Sequence, residues 1–287
     1  MDLQFKHLFF LLCSIFLLGC NQQKEVKIDG ELKKWHRITL NFEGPETNEL
    51  AEGNPFLNYR LDVTFKNGKE QFTIPGFFAA DGNAAETSSN EGNIWQVRFT
   101  PNKIGKWTYT TSFKKGKNIE VADDISKASS ASFMDGQTGS FKIANTDKTG
   151  IDNRVKGKLQ YVGESYLKFA ETQKYFIKLG VDAPENLLAY LDFDVSTNAL
   201  GFQKEWQPHA KDFNESATPF VWQKTKGKNL LGAINYLADE SLNVFSFLTF
   251  NVDGDDRNVF PHLLKVPISD YEKYASKKKN KAAWETH

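Results

Sequence analysis

Beyond residue 20 the chain has no cysteine: only Cys13 and Cys20 occur in its 287 residues. That excludes a disulfide, a thiolate metal site or a cysteine nucleophile from the body of the protein. Net charge is missing as well, with 36 basic residues set against 36 acidic ones. A nucleic-acid surface needs an excess of Lys and Arg to meet phosphates, so no nucleic acid is expected as a partner. After residue 20 no apolar run approaches the about 20 residues that a membrane-spanning helix needs. There is no P-loop, no Gly-rich dinucleotide fingerprint, no Gly-x-Ser-x-Gly elbow and no His-Glu-x-x-His. No cofactor and no metal is expected on these grounds. Aromatic residues, in contrast, are plentiful at 14%, 24 of them Phe. They suit a β-rich core and also sugar-stacking surfaces; core packing is the commoner use of Phe.

The first twenty residues have the layout of an export signal. Lys6 and His7 precede an apolar run at 8–18, which ends in Leu17-Leu18-Gly19-Cys20. The run is too short to cross a bilayer as a stable helix. Its end resembles the bacterial lipobox, which implies a signal peptide at 1–19, cleavage after Gly19 and a lipid such as palmitate on Cys20. Several acyl chains anchor durably where one binds only marginally. Residues 20–30 then read as a polar tether. The resemblance implies an exported lipoprotein held to a bacterial membrane, the outer membrane being the expected one, on its periplasmic or surface side.

From 31 to 145 short alternating runs are separated by turn residues, the pattern of an antiparallel sandwich. Expected strands cover 35–42, 59–65, 71–78, 94–99, 106–113 and 139–143. Asn67-Gly68, between Lys66 and Lys69, favours a tight primed hairpin turn joining the second and third. Trp95 and Trp107 are expected in the core, and Asp81-Gly82 at a loop tip in a turn role. The succession Trp35-His36, Asn54-Pro55-Phe56, Gly76-Phe77-Phe78-Ala79-Ala80-Asp81-Gly82, Trp95-Gln96-Val97-Arg98-Phe99-Thr100-Pro101 and Gly105-Lys106-Trp107 resembles the immunoglobulin-like domain of unknown function DUF5060. In bacterial polysaccharide-degrading proteins that domain precedes a glycoside-hydrolase-like barrel.

After a polar linker at 146–157 the period changes. Residues 158–162 and 166–170 read as a small hairpin, and 175–181 as a strand. Residues 228–242 read as a helix with Leu230, Leu231, Ile234, Leu237 and Ala238 at helical spacing, and 243–251 as an apolar strand. Strand, helix, strand with polar clusters at the strand ends is the opening of a parallel βα architecture. Gly180-Val181-Asp182-Ala183-Pro184-Glu185-Asn186, Trp206-Gln207-Pro208-His209 and Asn251-Val252-Asp253-Gly254-Asp255 resemble the (β/α)8 barrel of related polysaccharide-active proteins. The fold expected is therefore multidomain: an all-β immunoglobulin-like sandwich, then the start of a truncated α/β barrel of (β/α)8 type at 158–287. A closed barrel takes about 250 residues, more than remain after the linker.

Ligands meet such barrels at the loops after the strand C-termini. That makes Asn186, His209, Asp212, Asn251, Asp253 and Asp255 carbohydrate-binding candidates. Asp182 and Glu185 are the carboxylates that could serve as a catalytic pair, since glycoside hydrolysis needs two carboxyl groups held across the bond. Their placement at one strand end suits a bracing role in the turn equally well. Asp253-Gly254-Asp255-Asp256 lacks the ligand spacing of a calcium loop. A membrane-anchored lipoprotein of polysaccharide utilisation is expected, binding glycan without catalysis or standing as the remnant of a hydrolase. An algal cell-wall glycan such as ulvan is one niche. An active glycoside hydrolase that needs further strands, and an adhesion module, are the alternatives.

Overall fold

Apolar residues alternate with polar ones along each expected strand of the first unit, and burying every second side chain on one face makes two such sheets pack. The computed structural model describes residues 26–182, 187, 190–193, 204–249, 251–254 and 257–259, the last two stretches as backbone only. Its strands are β1 (Lys27–Asp29), β2 (Ile38–Asn48), β3 (Tyr59–Asn67), β4 (Glu70–Pro75), β5 (Phe77–Phe78), β6 (Glu91–Phe99), β7 (Gly105–Lys115), β8 (Ser129–Ser130) and β9 (Thr138–Ile143). One sheet has the order β1-β2-β6-β5. The other has β4-β3-β7, with β8 and β9 sharing the far edge of β7. All these pairs are antiparallel.

The inward residues form one aromatic core. Phe65 stacks on Phe99 with centroids 4.1 Å apart, Trp95 meets Phe113 edge-on at 4.9 Å, and Trp107 packs between Phe99 and Phe72. Trp95 and Trp107 are both buried, as their strand positions imply. Trp107 Nε1 donates to the Lys103 carbonyl at 2.9 Å, whereas Trp95 Nε1 has no hydrogen-bond partner among the described residues.

Three local readings are corrected. The strand expected at 35–42 begins at Ile38, because Trp35 takes a positive φ of 65° and its N–H turns aside to the Pro101 carbonyl. The first strand of the sandwich is β1, which lies inside the expected tether and pairs with β2. In the β3–β4 hairpin Asn67 pairs with Glu70, so the two loop residues are Gly68 and Lys69. Gly68 alone has positive φ, the II′ pattern with Gly first, so the turn is primed as expected but sits one residue later. The third correction matters for function. Residues 71–78 are not one strand: β4 belongs to one sheet and β5 to the other. Pro75 lacks an N–H and ends the ladder with β3, and Gly76 carries the chain across between the sheets. A Cβ on Gly76 would lie 2.5 Å from Leu61 Cδ2 and 2.8 Å from Val97 Cγ2, both buried, so only glycine fits the crossing.

Past the sandwich, β10 (Leu159–Gln160) and β11 (Lys168–Phe169) form the small hairpin. It is tied back by Lys34 and Trp35, whose Nζ and Nε1 donate to Glu171 at 2.7 and 2.8 Å. Within the expected linker, Thr146 bonds His36 at 2.9 Å, Asp147 bonds Lys33 at 2.7 Å, and Asn153–Lys156 makes one helical turn. The long helix runs over Lys228–Asp239 with Gly232 and Ala233 buried. A Cβ on Gly232 would lie 2.0 Å from the His209 carbonyl oxygen, which brings the 3-10 segment Gln207–Asp212 against the helix.

The two expected barrel strands are corrected more heavily. Residues 175–181 and 243–249 run side by side in parallel, but among the described residues a single bridge, Asp182 with Ser246, joins them. Asn243 and Ser246 donate to the carbonyls of Leu179 and Val181 at 2.9 and 3.2 Å. Ile177, Leu179 and Val181 stay exposed. An apolar run becomes a strand when neighbours pair both edges and cover its faces, and the described residues supply neither. Farther on, β12 (Asn251–Gly254) pairs antiparallel with β13 (Arg257–Val259), so 251–254 belongs to a hairpin rather than to the loop after a strand. The molecule as described is rich in antiparallel sheet with few helices, and no closed barrel is formed by the described residues.

Candidate functional site

The expected barrel-loop residues are brought together only in part. His209 Nδ1 lies 2.9 Å from Asp212 Oδ2 within a single 3-10 segment, and the His209 ring tilts against Tyr236 with centroids 5.0 Å apart. Asp182 is 88% exposed in its side chain; Ser246 Oγ donates to it at 2.5 Å and Lys178 Nζ stands 3.9 Å away. No described bond joins Asp182 to the His209–Asp212 pair. Asn251 and Asp253 sit on β12, whose side chains are outside the description. Glu185, Asn186, Asp255 and Cys20 lie outside the described residues. Among the described residues no group of three or more His, Cys, Asp or Glu is placed to hold a metal ion. No described helix is long and apolar enough to cross a membrane.

A second place was not singled out in the sequence. Because Leu40, Val97 and Phe78 point into the core, their strand neighbours point outward. Register then aligns two rows across the outer face of the β1-β2-β6-β5 sheet. Phe77, Gln96, Asn41 and Lys27 make one row, and Arg98, Thr39 and Asp29 the other. Within the first row Gln96 Nε2 donates to Asn41 Oδ1 at 2.8 Å, and Asn41 Nδ2 crosses to the second row, donating to Asp29 Oδ2 at 2.9 Å. Gln96 Nε2 also donates to the Gly82 carbonyl at 3.1 Å, fixing the loop that walls the cleft.

That loop is built by its own turn chemistry. Asp81 accepts from the Asn83 N–H at 2.8 Å and from Thr87 Oγ1 at 2.6 Å, and Gly82 N–H closes on the Ala79 carbonyl at 2.7 Å. Asp81 therefore has the turn role expected of it. The wall is braced from the second unit, where Gln223 donates from its backbone to Glu86 at 2.8 Å and from its side chain to Ser88 at 2.9 Å.

Between wall and sheet lies a cleft of about 400 Å³, lined among others by Arg37, Thr39, Phe77, Asn83, Gln96 and Arg98. Phe77 is 37% exposed, unlike its neighbour Phe78 at 5%. The Arg98 guanidinium sits 5.0 Å from the Phe77 ring centroid. Burial first, and then the charge of Arg37, hold the Arg98 pKa below its ordinary value. Asp29 is paired with Lys27 at 3.0 Å. An aromatic face beside fixed amides and guanidinium donors can hold a polar ring by stacking and hydrogen bonds. The signal that could have exposed this site is Pro75-Gly76, a turn dipeptide inside what reads as one strand.

No curated protein matches the chain. Among solved structures, a Bacteroides vulgatus protein named as a candidate glycoside hydrolase is similar at 22% identity with a TM-score of 0.46. That likeness covers 84% of this chain and 33% of the other, so the chain spans about a third of that protein's length. Residues 31–114 match the family model described as a domain of unknown function, DUF5060.

Proposed function

We propose that this chain is an exported, lipid-anchored protein that captures polysaccharide, and that the cleft on the sandwich is where glycan is held. The observation that carries the reading is Phe77, an aromatic side chain left 37% exposed beside the bonded Gln96–Asn41 row and inside a cleft. An apolar side chain that could have been turned inward, as Phe78 is, stands instead where a sugar ring could lie flat on it. The resemblance of its motifs to a domain that precedes polysaccharide-active barrels supports the same class of ligand. In this reading Cys20 carries the lipid and 158–287 is the opening part of a unit of barrel type. Binding rather than hydrolysis is assigned, because the exposed aromatic and its neighbouring donors are gathered in the sandwich cleft, whereas Asp182 is exposed and bonded to Ser246.

Electrophoresis of the full chain through gels containing different polysaccharides tests the proposal, alongside a reducing-end assay. Retardation by at least one glycan, lost in Phe77→Ala and unaccompanied by new reducing ends, is expected. Release of reducing ends that Asp182→Asn abolishes would replace capture with hydrolysis. Mass spectrometry of the membrane-extracted protein should find an acylated N-terminal Cys20; an unmodified N-terminus upstream of it contradicts the anchor.

A further inference from the structure

We propose that the same cleft selects sugars bearing an oxyanion, a carboxylate or a sulfate, which Arg37 and Arg98 grip together. This rests on the glycan reading above and specifies its ligand. Two guanidinium groups line one cleft, and no hydrogen bond or ion pair joins either of them to a carboxylate among the described residues. The carboxylates that share the lining are engaged: Asp29 pairs with Lys27 and accepts from Asn41, and Glu49 has a partner of its own. The two guanidinium groups repel each other across the concavity, a cost that an anion bound between them relieves.

The arrangement also suits an anion geometrically. The Arg98 guanidinium lies over the Phe77 ring, 5.0 Å from its centroid, and among the described residues no acceptor takes its N–H edges. Those edges form the rigid fork that matches carboxylate and sulfate oxygens in pairs. The contact with Phe77 further limits the motion of Arg98, so less side-chain entropy is lost on binding. Arg37 is exposed just ahead of β2, whose Thr39 pairs with Arg98, so both cations belong to one end of the same sheet face. A sugar ring over the exposed part of Phe77 would place a ring substituent within reach of that end.

Two matched pairs of probes test this on the full chain by titration calorimetry: dextran sulfate against dextran, and oligogalacturonate against the same oligosaccharide with its carboxyl groups reduced. The charged member of at least one pair should bind tighter by tenfold or more, and the pair that responds tells sulfate from carboxylate. Arg98→Gln and Arg37→Gln should each weaken that binding about tenfold, as loss of one charge-assisted contact predicts. Arg98→Lys, which keeps the charge and loses the fork, should fall between. Both arginines are exposed, and near-UV circular dichroism of each variant should match the parent. Equal affinity for charged and neutral probes, with binding still lost in Phe77→Ala, overturns the anion preference while the glycan reading stands. Charged probes that bind the arginine variants unchanged also overturn it. If no glycan binds at all, both readings fall.

Discussion

Phe65→Ala and Phe77→Ala delete the same atoms from the same sandwich, and the structure assigns them opposite consequences. Phe65 is fully buried, stacked on Phe99 at 4.1 Å and touching the rings of Tyr109 and Phe141. Removing a buried Phe typically costs about 3–5 kcal/mol, and the lost stacking places Phe65→Ala toward the top of that range. Phe77 keeps 37% of its surface exposed, and its partial burial together with the Arg98 contact is worth about 1–2 kcal/mol. Urea unfolding followed by tryptophan fluorescence separates the two, since Trp95 and Trp107 report from the core. With a slope of about 1–3 kcal/mol per molar urea, Phe65→Ala should lower the midpoint by more than about 1 M. Phe77→Ala should lower it by far less while abolishing glycan retention. A Phe77→Ala protein as destabilised as Phe65→Ala would refute the division between core and cleft, because Phe77 would then be a packing residue.

Gly44→Ala should destabilise by about 1–3 kcal/mol, since a Cβ there would lie 2.5 Å from the ring of buried Trp95; an unchanged urea midpoint contradicts that packing. His36 is buried, and burial before all else holds its pKa below the ordinary value of about 6.5. Its neutral form is the folded form, so its contribution is fully present above pH 6.5 and is lost as pH falls toward the lowered value. The loss is at most about 1.4 kcal/mol per pH unit. Melting between pH 7 and pH 5 should therefore drop more in the parent than in His36→Gln, and equal drops rule this out. Limited proteolysis should leave a resistant fragment near residues 31–145, with early cutting around Ile151, which is 92% exposed; a chain that resists evenly throughout shows that the second unit is equally stable.

The sandwich was legible because strand period and turn chemistry agree along it. Every buried position of β2, β3, β6 and β7 is apolar or aromatic apart from Gly44, Gln96 and Thr111. Helix Lys228–Asp239 was legible for the same reason, from the spacing of its apolar residues. What could not be read was anything that depends on a neighbour. The run 71–78 looks continuous, and only packing between Leu61 and Val97 shows why the chain must cross sheets at Gly76 and turn Phe77 outward. The runs at 175–181 and 243–249 have strand composition, yet composition cannot supply the flanking strands that would pair them. Among the predicted site residues, His209 and Asp212 were expected in a loop and fall instead on one short 3-10 segment, where an i, i+3 pair can bond. Whether Asp182 meets them depends on tertiary structure, and no described bond joins them.

Amide hydrogen exchange of the full chain, with and without a saturating bound glycan, tests most directly where the ligand sits. Protection confined to residues 77–85 and 94–98, and absent from Phe77→Ala, is the predicted result. Protection appearing instead at 177–182 and 207–212, with the sandwich cleft unchanged, would contradict the account and move the site to the second unit.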